Sequence, residues 1–185
     1  MRRLLPFCGT LLLTVHSLPA QETPVQVVPS VDLTRYTGTW YEIARYPNRF
    51  QDFCVGDVTA TYTLLEEGEI EVVNRCRNAA GEMKEAVGRA RKQDADGPDT
   101  KLEVRFAPAF LSFLPFVWGD CWIIDLASDY SYAVIGGPDR EYLWILARSS
   151  MMADSTWSGI SRRLILQGFN PAQLVKTSHT VRKTP

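Results

Sequence analysis

Apolar and polar residues alternate through most of the chain, in short segments separated by turn residues. The clearest case is a hairpin over residues 56–76. Centring its turn on Glu67 pairs Leu64 with Ile70 and Tyr62 with Val72, so the apolar sets of both strands share one face. Further strands are predicted at 38–46, 84–92, 101–107, 118–126, 130–135 and 142–148. Eight antiparallel strands with no helix between them predict an all-β, up-and-down barrel.

One main helix is predicted after the strands. Asp154 or Ser155 is placed to cap it and Gly168 to end it. Its apolar residues recur at helical spacing, at Trp157, Ile160 and Leu164. Segment 118–126 is apolar on both faces, so we expect the helix to pack outside the barrel against it. A shorter helical turn capped by Asp32 is predicted before the first strand.

The first strand combines a flexible turn with a large aromatic residue. Gly38 permits a sharp turn or a close approach, and Trp40 is large enough to fill one end of a small barrel. Alternation places Glu42 on the same face as Trp40, and Arg45 on the other. A carboxylate facing inward needs a partner, and we favour a structural polar pair over a ligand contact.

The first twenty residues differ from the rest of the chain. Arg2 and Arg3 precede an apolar run that ends in small residues, which is typical of a signal peptide. The predicted organisation is a signal peptide over 1–20, an extended leader over 21–31, one domain over 32–177 and a tail over 178–185. Without the two arginines, 18 basic and 21 acidic residues remain, a formal net charge of −3. No basic stripe is present, so we expect no nucleic acid partner.

Three cysteines remain after the predicted signal peptide. Cys54 precedes the second strand and Cys76 ends the third, so both should lie at the same end of the barrel. An oxidising compartment favours a Cys54–Cys76 disulfide. Cys121 begins the sixth strand at that end, which makes it the expected free thiol and also the competing partner.

Three motifs resemble those of the lipocalin family. Residues 38–44 resemble its opening signature, residues 123–133 its second conserved block and residues 144–148 its third. The resemblance covers residues 32–177 and is greatest to bacterial lipocalins akin to apolipoprotein D. It implies a calyx with a lipophilic cavity, closed near Gly38 and Trp40 and open at the other end. It also implies that Arg148 stacks on Trp40 in a structural role.

The resemblance, together with the alternation, implies a set of cavity residues. For the late strands the inward face is taken from the family. The predicted ligand-binding residues are Ala60, Tyr62, Val72, Asn74, Ala90, Val104, Phe106, Cys121, Ile135, Tyr142 and Trp144. Small inward residues should leave volume inside, at Ala60, Ala86, Gly88, Ala90 and Ala133. A barrel filled by its own side chains is the alternative. The expected ligand is a fatty acid, a lysophospholipid or a similar lipid, with Tyr62, Asn74 and Tyr142 available to its polar head.

Residues 108–118 join the fifth and sixth strands at the open end. This segment is apolar without periodicity, and its large aromatic residues are Phe110, Phe113, Phe116 and Trp118. It could fold over the rim as a small core, cover the ligand, contact a membrane or bind a second protomer. Both a monomer and a homodimer are compatible with such a loop.

Catalytic patterns are not evident in the sequence. His16 lies in the predicted signal peptide and His179 in the tail, so no triad or metal site built on a core histidine is expected. We therefore predict a carrier without a cofactor. An enzyme using Cys121, Glu42 or tyrosines is one alternative, and an envelope protein that binds a partner through residues 108–118 is another. Many bacterial lipocalins have an anchor cysteine after the signal, whereas Cys8 lies inside the apolar run. The expected location is the periplasm, in soluble form or associated with the outer membrane.

Overall fold

A computed structural model describes residues 23–180 of the protein. The predicted signal peptide lies outside the described residues. A short helix, α1 (Leu33–Tyr36), precedes the strands, and Asp32 caps it through its side chain, as predicted. The strands are β1 (Gly38–Arg45), β2 (Cys54–Leu64), β3 (Ile70–Asn78), β4 (Met83–Lys92), β5 (Lys101–Arg105), β6 (Gly119–Leu126), β7 (Tyr132–Gly136) and β8 (Leu143–Ala147). Helix α2 (Asp154–Leu166) and a short strand β9 (Val175–Lys176) follow.

The sheet closes into a barrel. Each strand pairs antiparallel with the next, and β1 pairs with both β2 and β8. The predicted eight-stranded up-and-down barrel is therefore confirmed. The register of the β2–β3 hairpin is also confirmed, since Tyr62 lies opposite Val72 and Leu64 opposite Ile70.

Two apolar cores lie on opposite sides of the sheet. The inner core fills the closed half of the barrel and includes Trp40, Tyr62, Val72, Ile123 and Leu146. The outer core lies between β6–β8 and α2, where Trp122, Ile124 and Ile145 contact Ile160 and Leu164. Helix α2 thus covers the second apolar face of β6, as its sequence predicts.

The start of α2 differs from the prediction. Neither Asp154 nor Ser155 is the capping residue, because Ala153 has the extended conformation of an N-cap and makes no side-chain capping bond. Asp154 instead lies in the first turn, where its charge is favourable against the helix dipole. At the other end, Gly168 has a φ of +80° and ends the helix as predicted.

Strand β1 contains a bulge that alternation did not predict. Its pairing with β8 shifts between Glu42 and Ala44, so that Arg45 lies opposite the inward-facing Trp144. Arg45 therefore faces the barrel interior together with Glu42, and Tyr46 joins the outer core. The predicted facing of Arg45 is wrong because one extra residue reverses the alternation.

The C-terminal segment enters the seam between β1 and β2. These strands pair only from Gly38 to Tyr41 on the β1 side. Beyond that point β9 pairs with β1, and the Asp57 N–H donates to the Ser178 carbonyl at 2.8 Å. Residues 178–180, predicted as tail, therefore contact the barrel. Among residues 23–180, no helix has both the length and the hydropathy needed to cross a membrane.

Candidate ligand-binding site

The closed end of the barrel is formed by Trp40 and the residues around it. Trp40 is fully buried, and its indole N–H donates to the Tyr36 carbonyl at 2.8 Å. The Arg148 guanidinium lies 3.8 Å from the centre of the indole ring. It also donates to carbonyls of the α1–β1 connection, including those of Tyr36 and Thr37. The stacking that the resemblance implied is present, and it seals this end.

Tyrosine side chains form the floor of the interior. The Tyr36 ring lies 5.0 Å from Trp40 and 5.2 Å from Tyr62, between ring centres. Burial raises the pKa of Tyr36 well above its usual range, and burial likewise raises that of Tyr62. Both phenols are therefore neutral. The contribution of Tyr36 was missed because it precedes the first strand and belongs to no alternating pattern.

The structure places most of the predicted cavity residues around the inner face of the barrel, on strands β2 to β8. Eight belong to the inner core or pack against it: Ala60, Tyr62, Val72, Ala90, Val104, Cys121, Ile135 and Trp144. Asn74 lies opposite Ala60, on the inward face of β3. Tyr142 lies at the rim, stacked on Trp144 with 5.8 Å between ring centres.

Accessibility differs among these inward-facing residues. Tyr62, Val72, Ala90 and Ile135 are buried, whereas Ala60, Asn74, Val104, Cys121 and Trp144 retain partial solvent exposure. A residue that faces inward is accessible only where side chains leave the interior unfilled. The deep half of the barrel is therefore packed, and the half nearer the mouth has open space along its wall.

Phe106 occupies part of the space that a small residue was expected to leave. Strand β5 ends at Arg105, one residue before it, and the Phe106 side chain is exposed by 43%. A Cβ at Gly88 would lie 2.8 Å from two atoms of the Phe106 ring. Gly88 thus accommodates an aromatic ring of the protein itself, and the expectation that it leaves free volume is corrected.

A polar cluster lies on the inner wall beside β1. The Glu42 carboxylate, 2% exposed, accepts hydrogen bonds from Arg45 at 2.7 Å and from the Gln51 amide at 2.8 Å. The Thr177 hydroxyl also donates to it. Gln51 in turn accepts from the Trp144 indole N–H at 2.8 Å. Glu42 is thus part of a structural polar network, and the sequence did not indicate Gln51.

The loop over residues 108–118 contains two short 3₁₀ turns, Ala109–Leu111 and Pro115–Val117. Phe110, Phe113 and Phe116 are exposed by 74%, 77% and 79%. These three residues therefore do not form the small packed core at the rim that was one alternative for this loop.

Trp118 differs from the phenylalanines of its loop. It precedes β6 with the outward parity of Asp120 and Trp122, and its ring lies on the outer face of the barrel, 4.0 Å from the Arg91 guanidinium. Its indole N–H donates to the Ser112 carbonyl at 2.8 Å. Trp118 therefore anchors the loop to the barrel, unlike the three exposed phenylalanines, and its action together with them stays a prediction.

The cysteines are arranged as predicted. Cys54 and Cys76 form a disulfide with 5.6 Å between their Cα atoms. Cys121 is a free thiol on the inner wall. Burial, reinforced by the charge of Asp120, raises the pKa of the Cys121 thiol to about 12. Among the described residues, no group of three or more His, Cys, Asp or Glu side chains is placed to hold a metal ion.

A closed antiparallel barrel with an accessible apolar inner wall defines a calyx-type β-barrel protein. Comparison with known proteins gives the family: a model described as a lipocalin-like domain matches residues 31–179. The chain belongs to the lipocalin family, whose members bind small lipophilic ligands.

Individual relatives agree with this assignment. Temperature-induced lipocalin-1 of Arabidopsis thaliana is 38% identical over 85% of this chain and 84% of its own length. Outer membrane lipoprotein Blc of Escherichia coli K12 is 33% identical over 94% of this chain and 96% of its own. The structure of insecticyanin from Manduca sexta has a TM-score of 0.63 at 19% identity, covering 89% of each chain, and shows the same fold.

Proposed function

We propose that the protein binds and carries a fatty acid, a lysophospholipid or a similar lipid in the barrel, within the bacterial cell envelope. The observation that supports this most directly is the partial exposure of inward-facing residues, including Ala60, Val104 and Trp144. These residues present an apolar surface to open space near the mouth, as a hydrocarbon chain requires. The family assignment supports the same conclusion.

The chemistry of the wall favours a ligand whose polar head stays near the mouth. The deep end is closed by aromatic residues, and its phenols are neutral. Asn74 and Tyr142 lie nearer the rim and offer neutral hydrogen-bonding groups. Tyr62, which the sequence also suggested for the head, is buried against Tyr36 at the floor. We therefore propose that the hydrocarbon tail of the ligand enters the barrel first and that its polar head remains at Asn74 and Tyr142.

The proposed location is the periplasm, with association to the outer membrane. Several relatives are named outer membrane lipoprotein Blc, which supports an envelope location. The disulfide is compatible with an oxidising compartment. The signal peptide over 1–20 and the domain over 32–177 belong to this proposal.

An enzymatic role has less support. Cys121 is the one free thiol among the described residues, and its raised pKa keeps it protonated at neutral pH. A thiol in that state is a poor nucleophile. Glu42 is occupied by Arg45, Gln51 and Thr177.

Filling the cavity tests the carrier role. Val104→Trp adds a large side chain to the accessible part of the inner wall, so we expect uptake of a fluorescent fatty acid to fall by roughly tenfold or more. Val73→Trp is the matched control, because Val73 lies on the opposite face of β3, which points outward. Fluorescence titration measures uptake, and circular dichroism with thermal unfolding verifies that both variants fold.

Native mass spectrometry of the protein, isolated from its own periplasm without delipidation, provides the second measurement. A discrete added mass matching a fatty acid or lysophospholipid is expected. An empty protein that also fails to take up such lipids on titration would contradict the proposal, as would equal uptake by the two tryptophan variants.

A further inference from the structure

An open crevice of about 600 Å³ lies over the outer face of the barrel near its mouth, where Gly88 and Phe106 also line it. It separates the loop over residues 108–118 from the outer face of β4 and β5. Three arginines line it from the strands: Arg89, Arg91 and Arg105. Ser112 and Trp118 line it from the loop, and Glu69 is the one carboxylate among its lining residues.

The three arginines are not equivalent. Arg89 pairs with Glu71 at 2.6 Å and Arg91 with Glu103 at 2.7 Å, and these salt bridges orient both side chains along the outer face. Arg105 is only 8% exposed and makes no salt bridge within residues 23–180. One of its guanidinium nitrogens donates to the Ala107 carbonyl, while its Nε is buried without a hydrogen-bond partner.

A buried cation without a counter-ion is costly, and an anion entering the crevice would remove that cost. Guanidinium groups bind phosphate oxygens well because their donors are rigid and planar. The crevice is also wide enough for such a group. Its chemistry therefore fits a phosphate-bearing ligand.

The neighbouring loop indicates the source of that phosphate. Its Ala109 and Ser112 line the crevice, while Phe110, Phe113 and Phe116 of the same loop are each exposed by more than 70%. Adjacent apolar aromatic rings and cationic groups match the two layers of a bilayer surface, acyl chains and anionic headgroups. A free phosphate would gain nothing from the phenylalanines.

We propose that the arginine crevice and the three phenylalanines form one docking surface for a bilayer that contains anionic phospholipids. A lipid phosphate binds among Arg89, Arg91 and Arg105, and the phenylalanine rings enter the acyl region. Because this loop borders the barrel mouth, docking places the calyx at the membrane surface. The docking itself does not require a ligand in the calyx, although its use in lipid carriage rests on the proposed function.

Vesicle flotation with the full chain tests the surface. Arg89→Gln/Arg91→Gln removes two crevice arginines, and Arg75→Gln/Arg162→Gln removes two charges elsewhere. Arg75 pairs with Glu85 outside the crevice, and Arg162 is exposed on α2. With phosphatidylglycerol vesicles we expect the crevice variant to bind roughly tenfold more weakly than the unmodified protein, and the control within about twofold. Phosphatidylcholine vesicles should bind the unmodified protein at least tenfold more weakly than phosphatidylglycerol vesicles do.

Phe110→Ser/Phe113→Ser/Phe116→Ser provides an independent variant, which should also lose binding to phosphatidylglycerol vesicles. Equal loss in the crevice and control variants would overturn the proposal, since it would show a general charge effect. Equal binding to both lipids, or binding of inorganic phosphate without vesicle binding, would also overturn it.

Fatty-acid uptake in solution, measured on the same proteins without vesicles, separates the two proposals. Uptake should be unchanged in the arginine variants. A protein that takes up fatty acid but ignores anionic vesicles refutes the docking surface alone. One that docks without uptake refutes the carrier role alone.

Discussion

Among individual residues, Glu42 has the most demanding environment. It is a carboxylate buried beside an apolar wall, and its charge is balanced by Arg45, which is itself 13% exposed. Gln51 connects this pair to Trp144 and so holds the loop after β1 against the interior. The network therefore couples the loop after β1 to strand β8.

Removing the charge of Glu42 should destabilise the fold. Glu42→Gln leaves Arg45 buried without a counter-ion, so we expect the free energy of unfolding to fall by about 3 kcal/mol. Urea denaturation at pH 7 measures it. Glu82→Gln, which removes an exposed partner of Lys84, is the control and should leave the free energy of unfolding unchanged. A loss no larger than that of the control would mean that Arg45 finds other partners.

Cys121 should be unreactive in the folded protein. Because its pKa is raised to about 12, almost no thiolate forms at pH 8, although the side chain keeps partial solvent exposure. We expect iodoacetamide to modify the native protein at least roughly a hundredfold more slowly than the urea-unfolded protein. Mass spectrometry of the quenched reaction gives both rates. A native rate close to that of the unfolded chain would contradict the raised pKa of the Cys121 thiol.

Residue-level prediction was successful where alternation is regular and failed where it is interrupted. The inward facing of Tyr62, Val72 and Ile135 is confirmed. Arg45 was placed on the wrong face, because a single extra residue leaves no mark on the pattern of apolar positions. Gln51 was missed because a polar residue in a loop normally faces solvent, and only the folded loop brings it to Glu42.

Among the elements, the C-terminal segment has the least predictable position. It lies in the seam where β1 and β2 diverge, and its last described residues bind Asp57. The Thr180 N–H and hydroxyl both donate to the Asp57 carboxylate, which also accepts from Arg77 at 2.7 Å. Asp57 has a φ of +52°, which directs the chain out of the regular ladder.

Asp57 should make the seam sensitive to acid. Burial alone would raise its pKa, but the bonds from Thr180 and Arg77 outweigh burial and lower it from 3.8 to about 2. A lowered pKa contributes stability that is present above pH 4 and is lost as the pH falls towards 2. We expect Asp57→Asn to lower the free energy of unfolding by about 1 to 2 kcal/mol at pH 7, with the difference disappearing near pH 2.

Asparagine tolerates a positive φ, so this substitution tests the charge rather than the backbone. Asp52→Asn, at an exposed loop position, is the control and should match the unmodified protein throughout. Thermal unfolding from pH 7 to pH 2 provides the comparison. A constant difference between Asp57→Asn and the unmodified protein over that range would refute the pKa argument.

Element prediction depended on whether a segment had a period. Helix α2 was predicted from the helical spacing of Ile160 and Leu164. The β2–β3 hairpin was predicted from the alternation that pairs Tyr62 with Val72. The loop over residues 108–118 has no period, so its composition indicated an unusual surface but not its conformation. The outward position of Trp118 depends on Arg91 and Arg105, which are distant in sequence.

In the whole molecule, the surface charge is unevenly distributed. The chain from residue 21 onward is slightly acidic, yet the crevice beside the apolar loop is lined by three arginines and one carboxylate. Glu71 and Glu103 pair with Arg89 and Arg91, so Arg105 is the crevice arginine left to attract an anionic group. Composition alone could not indicate this, because Arg89 and Arg105 become neighbours only when β4 pairs with β5.

The outer core has a consequence for how the fold can change over time. Ile145, Ile160 and Leu164 secure the sheet from outside, through contacts that do not involve the calyx wall. We therefore expect the barrel to keep its shape with or without a ligand in the calyx. Substitutions among the inward-facing residues near the mouth can change which ligand the calyx binds while the barrel stays folded. New binding preferences can therefore arise without a new architecture.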